Sequence, residues 1–174
     1  MLTNISSNIT DTQVEIDGRK VWGKLITVSS LLDIDRDTAW LELQKWDLLR
    51  YVSHGKTSFT NLPETWKVWE QVETTVQTFA GSMIPLLGRL EKIQNKFPIT
   101  SPHSIVFTDI NHEDFSASTE ESNPSIKAWN HNMKMESANQ GQATKYTDEI
   151  TIFAGRLTWI LAKNTEALYR HRHE

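Results

Sequence analysis

The sequence predicts an α+β fold: a run of antiparallel strands that ends in a long curved hairpin, followed by a long amphipathic helix that packs so as to enclose an apolar pocket. Three observations lead there. Short runs of β-forming residues separated by turn formers fill the middle of the chain. Two long strand candidates, IKAWNHNMKM and TKYTDEITIF, flank Asn139-Gln140-Gly141. After Ala154-Gly155 the spacing of apolar residues changes from that of a strand to that of a helix. At 174 residues the chain buries roughly two thirds of the surface its unfolded form exposes, so one core suffices and residues 1–174 are expected to form a single domain.

The elements follow in order. Residues 1–20, rich in Asn, Ser, Thr and Asp and closed by Gly18, suggest a loosely held arm with room for a short strand. Trp22 to Ser29, with β-branched Ile26, Thr27 and Val28, predicts a first strand inside the sheet. Asp35 or Asp37 can cap a helix on which Ala39, Trp40, Leu43 and Trp46 recur. Leu48, Leu49 and Val52 follow too closely for one straight helix, which predicts two short helices meeting near Trp46 and Asp47. From His54 the runs GKTSF, WKVWEQVETTVQTF, IPLLGRLEKI and HSIVFTDI predict antiparallel strands, with a short one over DFSAST before the Asn123-Pro124 turn. In the last helix Leu157, Ile160, Leu161 and Leu168 form the stripe expected to pack on the sheet, and Tyr169 to Glu174 concentrate cations at its negative end.

The hairpin register decides which side chains meet. With Asn139 and Gln140 as the central turn residues, Trp129, His131 and Met133 face Ile150, Asp148 and Tyr146. With a three-residue loop and Gly141 left-handed they face Thr151, Glu149 and Thr147. A slip of one residue reverses every side chain, and the first register matches apolar with apolar. It also places His131 and Asp148 on the inward face.

Composition narrows the function. A net charge of -4 gives no broad attraction to nucleic acid or anionic lipid, and neither nucleic-acid binding nor stable membrane insertion is expected. The absence of cysteine excludes disulfides and thiol nucleophiles. The first ten residues lack the basic start and apolar run of a leader, so the cytoplasm is the default. Seven Trp are many for this length and would fill a core or line a cavity. No cofactor is expected: Gly155 follows no phosphate-loop pattern, and Ser29, Ser30 and Ser104 lack a nucleophile-elbow context. No metal site is expected either, because His171 and His173 are two apart on a helix, with rings pointing apart, and no HExxH motif joins them to His131, His112, His103 or His54.

Ile126, Trp129 and His131, then Tyr146-Thr147-Asp148, then Ala154-Gly155-Arg156-Leu157-Thr158, then Tyr169-Arg170-His171-Arg172 resemble the recurring C-terminal part of small bacterial members of the START-related, or SRPBCC, superfamily. The order of elements is also similar to its helix-grip fold, shared by birch-pollen-allergen-like proteins and polyketide cyclases. The resemblance implies a seven-stranded sheet wrapped around the last helix, with a cavity that in relatives takes lipids, sterols, hormones or polyketides. It implies no single chemistry, since one fold hosts carriers, sensors and cyclases.

The expected function is therefore binding of a small hydrophobic molecule, with Trp129, His131, Met133, Tyr146, Asp148, Ile150, Trp40 and Leu161 as ligand-binding candidates and Trp40, Trp46 and Leu49 at the mouth. The alternative for the same large residues is solid core. His131 with Asp148 is a candidate acid–base pair for a cyclase, dehydratase or hydrolase. Its alternative is a buried pair that satisfies itself, helped by Arg172 or His171. A third possibility is a protein-interaction module using the sheet edge or the Trp-rich helices. Monomer and homodimer remain open.

Overall fold

The computed structural model describes residues 4–53, 73–79, 100–123 and 126–174. They contain β1 (Ser6–Ile16), β2 (Arg19–Leu32), α1 (Arg36–Leu43), α2 (Trp46–Ser53), β3 (Glu73–Phe79), β4 (Thr100–Asn111), β5 (Ser116–Asn123), β6 (Ile126–Ala138), β7 (Ala143–Phe153) and a C-terminal helix, α3 (Thr158–Arg172). The strands form one antiparallel seven-stranded sheet in the order β1-β2-β7-β6-β5-β4-β3. α3 lies across β2, with β1 and β7 beside it. The strands expected over GKTSF and IPLLGRLEKI lie outside the described residues. No helix among the described residues is long and apolar enough to cross a membrane.

The N-terminal arm is a full edge strand rather than a loosely held segment, so the two short helices follow the second strand and not the first. Asp17 and Gly18, both at positive φ (50° and 71°), form the two-residue turn that joins β1 to β2 with Ile16 opposite Arg19. Such a turn matches the twist of the strands it connects. Gly23, inside β2, is required by close approach: a Cβ there would lie 2.6 Å from Val14 Cγ2 and 2.7 Å from the Ile152 carbonyl oxygen. Because the carbonyl belongs to the neighbouring strand, Gly23→Ala is expected to cost about 1–3 kcal/mol. An unchanged urea midpoint would show that the β2–β7 ladder can spread at this point.

Asp35 caps α1, accepting from the Thr38 amide at 2.9 Å, and the break before Trp46 falls where the apolar spacing places it. The β6–β7 loop has four residues, Asn139 to Gln142, with Ala138 opposite Ala143. Asn139, Gln140 and Gly141 all take positive φ. Four residues conserve the parity of the expected two-residue turn but move every pair by two: Trp129 faces Ile152, His131 faces Ile150, Met133 faces Asp148 and Met135 faces Tyr146. The inward set is therefore as expected, while His131 and Asp148 are diagonal neighbours instead of direct partners.

The inner face of α3 also differs from expectation. Leu161 is buried, but Leu157 and Ile160 are 51% and 45% exposed. Leu157 belongs to a short 3-10 turn (Gly155–Leu157) that precedes the helix and is out of phase with it. The buried face is Thr158, Leu161, Ala162, Thr165 and Tyr169, continued by His173. Small and polar side chains let the helix approach the sheet closely and let its C-terminal end carry polar groups into the core.

Candidate functional site

The inward residues of four adjacent strands make a polar band across an otherwise apolar face. β5 supplies Thr119 and Glu121, β6 His131, β7 Tyr146 and Asp148, and β2 Ser30. Alternation along each strand brings them to the same side. α3 and the residue after it cover the band with Tyr169, Arg172 and His173.

Asp148, with no exposed surface, is the centre of the band. Its Oδ1 lies 2.7 Å from His131 Nε2 and 2.6 Å from Tyr146 Oη, and its Oδ2 lies 3.0 Å from His173 Nε2. A carboxylate only accepts, so each of these three groups donates, which sets the proton on Nε2 of both imidazoles. The remaining nitrogens are also engaged: His173 Nδ1 is 2.8 Å from Ser30 Oγ, and His131 Nδ1 is 3.3 Å from Tyr169 Oη and 3.7 Å from Glu121 Oε1. Thr119 Oγ1 donates to the same Glu121 oxygen at 3.1 Å. The Tyr146 and His173 rings stack, with centroids 4.6 Å apart.

Electrostatics follow this geometry. Burial by itself would raise the Asp148 carboxyl, but the His131 and Arg172 charges and the donated hydrogen bonds hold it far below the usual carboxylate range. Burial opposes an imidazolium at His131, yet the Asp148 charge and hydrogen bond prevail and raise it above the ordinary histidine value. Burial, then the charge of Asp148, pushes Tyr146 well up. Burial and Glu121 do the same to Tyr169, so both phenols stay protonated as donors.

Beside the band lies a cavity of about 310 Å³. Leu32 and Ile34, then Ala39 and Leu43 of α1, Leu48, Leu49 and Val52 of α2, and Met135 give it a mostly apolar wall. Tyr146, Arg172 and His173 join the wall where it meets the band, with Glu42 and Glu174 also lining it.

The expected ligand-binding residues are distributed differently from the sequence reading. Tyr146 lines this cavity, as does Leu49 of the expected mouth. Trp129, Ile150 and Leu161 pack with Ile26, Val28 and Ile152 as core beneath α3. Trp40, Trp46 and Met133 pack with Phe107 and Ala117 in a second cluster under α1. None of these six residues, nor His131 or Asp148, lines the cavity. Sequence reasoning missed Ser30, Glu121, Tyr169 and His173, and it named His171 where His173 is the Asp148 partner; His171 instead contacts Glu174 at 3.2 Å. The signal was present: Leu161, Thr165, Tyr169 and His173 recur every four residues, the spacing of one helix face. Among the described residues no group of His, Asp or Glu is placed to hold a metal ion.

No family model matches the chain, and no curated protein matches it in sequence. Solved structures do. The Zhui aromatase/cyclase from Streptomyces sp. R1128 superposes with a TM-score of 0.58 at 10% identity, over 86% of this chain and 88% of that one. A START superfamily protein from Mycobacterium smegmatis gives 0.53 at 4% identity, over 86% and 94%. Ara h 8.0201 gives 0.51 at 7% identity, over 98% and 96%. These likenesses, with the sheet order and the C-terminal helix laid across the sheet, identify the architecture: the chain has a helix-grip fold.

Proposed function

We propose that this protein binds a small hydrophobic molecule, as a carrier or sensor, in the cavity between the two short helices, the sheet and the C-terminal end of α3. The observation that carries this reading is the cavity of about 310 Å³ with its largely aliphatic wall and a few polar side chains. That combination suits a ligand held by burial of apolar area and oriented by a few polar contacts. Its size is at the low end for ligand pockets, which favours a small molecule.

The catalytic alternative, with His131 as acid or base and Asp148 as its orienter, has less support. Both His131 nitrogens are engaged inside the protein, its ring is buried, and it does not line the cavity. A self-satisfied polar core accounts for the pair without a substrate.

Titration with a hydrophobic fluorophore, together with native mass spectrometry of gently purified protein, tests the binding reading. The expected result is saturable binding that Leu43→Trp, by filling the cavity, weakens about tenfold or more while the circular dichroism spectrum is retained. Saturable binding unaffected by that substitution would place the site elsewhere, and an empty, non-binding protein would refute the reading.

A further inference from the structure

The cavity wall holds one cation with an N–H group that the fold leaves without a hydrogen-bond partner. Arg172 Nε is shut off from solvent with no hydrogen-bond partner. Among the described residues no ion pair reaches the guanidinium, on which the Asp148 and Glu121 carboxylates act from farther away. The guanidinium lies over the face of the Tyr169 ring, 4.7 Å from the centroid, a contact that leaves the Nε–H unused. The nearby Asp148 carboxylate is already taken by His131, Tyr146 and His173. The acidic side chains of the wall are committed as well, Glu42 to Lys45 and Glu174 to His171. A largely buried cation with unused donors is costly unless an acceptor meets it, and such orphaned groups call for an explanation.

Resting on the cavity reading above, we propose that the ligand is a small amphiphilic acid whose carboxylate pairs with Arg172 while its apolar body lies against the aliphatic wall that includes Leu43, Leu49 and Met135. A guanidinium presents a planar fork suited to two parallel bonds to a carboxylate. A largely aliphatic pocket with one cation whose donors are not all met therefore selects a molecule that is apolar over most of its length and anionic at one end. His173 and Tyr146, which line the same wall, are held in place by Asp148 and Ser30 and so supply a fixed flank for the head group.

Decanoate and 1-decanol, alike in chain length and differing in the head group, are the probes. Their binding at pH 7 is measured by displacement of the fluorophore and by calorimetry on the wild type, Arg172→Gln and Arg172→Lys, each first checked for a native circular dichroism spectrum and cooperative melting. The wild type is expected to favour decanoate by about tenfold or more, the strength of a charge-assisted pair. Arg172→Gln should abolish that preference with decanol affinity unchanged, and Arg172→Lys, which keeps the charge without the fork, should retain part of it. Should Arg172→Gln fail to fold, Arg172→Lys still decides, because a lysine that leaves the full preference intact contradicts a forked pairing. Equal affinity of the wild type for the two probes, or a preference that survives Arg172→Gln, overturns the acid assignment and leaves the cavity reading standing. Binding of neither probe, nor of the fluorophore, overturns both.

Discussion

Asp148→Ala is expected to cost about 3–5 kcal/mol, the usual effect of removing one member of a buried charge network, and to lower the melting temperature by roughly 10 °C or more. Three donors converge on this carboxylate, from β6, from its own strand and from the residue that caps α3. Alanine leaves all three buried and unmet. Asp148→Asn is expected to be little better, because an amide offers one acceptor oxygen and turns an N–H pair toward groups that themselves donate. A loss of that size is a large share of the stability of an ordinary domain. Urea denaturation of Asp148→Ala, Asp148→Asn and the exposed control Glu149→Ala measures it. If Asp148→Ala shifts the midpoint no more than the control, the band is not holding β6, β7 and α3 together.

Stability is expected to peak between about pH 4 and 6.5 and to fall on both sides, with the two limbs assigned to different residues. Asp148 has its folded value far depressed, so its contribution is complete above the ordinary carboxylate value of about 3.9 and is lost as the pH falls below it, at up to about 1.4 kcal/mol per pH unit. His131 has its folded value raised, so its contribution is complete below the ordinary imidazole value of about 6.5 and is lost as the pH rises through the folded value. Urea midpoints from pH 2.5 to 9 trace both limbs. Asp148→Asn should flatten the acid limb relative to the wild type, and His131→Gln the alkaline one. Parallel profiles for the wild type and His131→Gln would exclude the imidazole as the source of the alkaline decline.

Much of the architecture was legible locally. The apolar spacing around Trp46 predicted two short helices with Asp35 or Asp37 as a cap; α1, capped by Asp35, and α2 stand there. Parity in the last hairpin followed from matching Trp129, Met133 and Met135 with Tyr146, Ile150 and Ile152, and those residues do share the inner face. The N-terminal edge strand was hidden by its Asn, Ser and Thr content, although Asp17-Gly18 is a hairpin signal in its own right. The candidate site was less legible. His131 and Asp148 were found because they lie on strands whose phase is known, whereas Ser30, Glu121 and His173 reach the same band from elements far apart in sequence.

By itself, then, the sequence determined the α+β class, the inward set of the β6–β7 hairpin and the placing of His131 and Asp148 on one inward face, because strand alternation and turn chemistry act over a few residues. The tertiary structure alone decided three things: the two-residue offset of that hairpin, the inner face of α3, and the cavity walled by α1, α2 and the Arg172-His173 end of the chain. Each depends on how closely separate elements approach. A loop can add two residues without changing parity, and a helix that must come near a sheet turns its small and polar side inward even when larger aliphatic residues stand on another face. A guanidinium becomes an orphan only when the groups that could have met it are already engaged, and no local pattern records that.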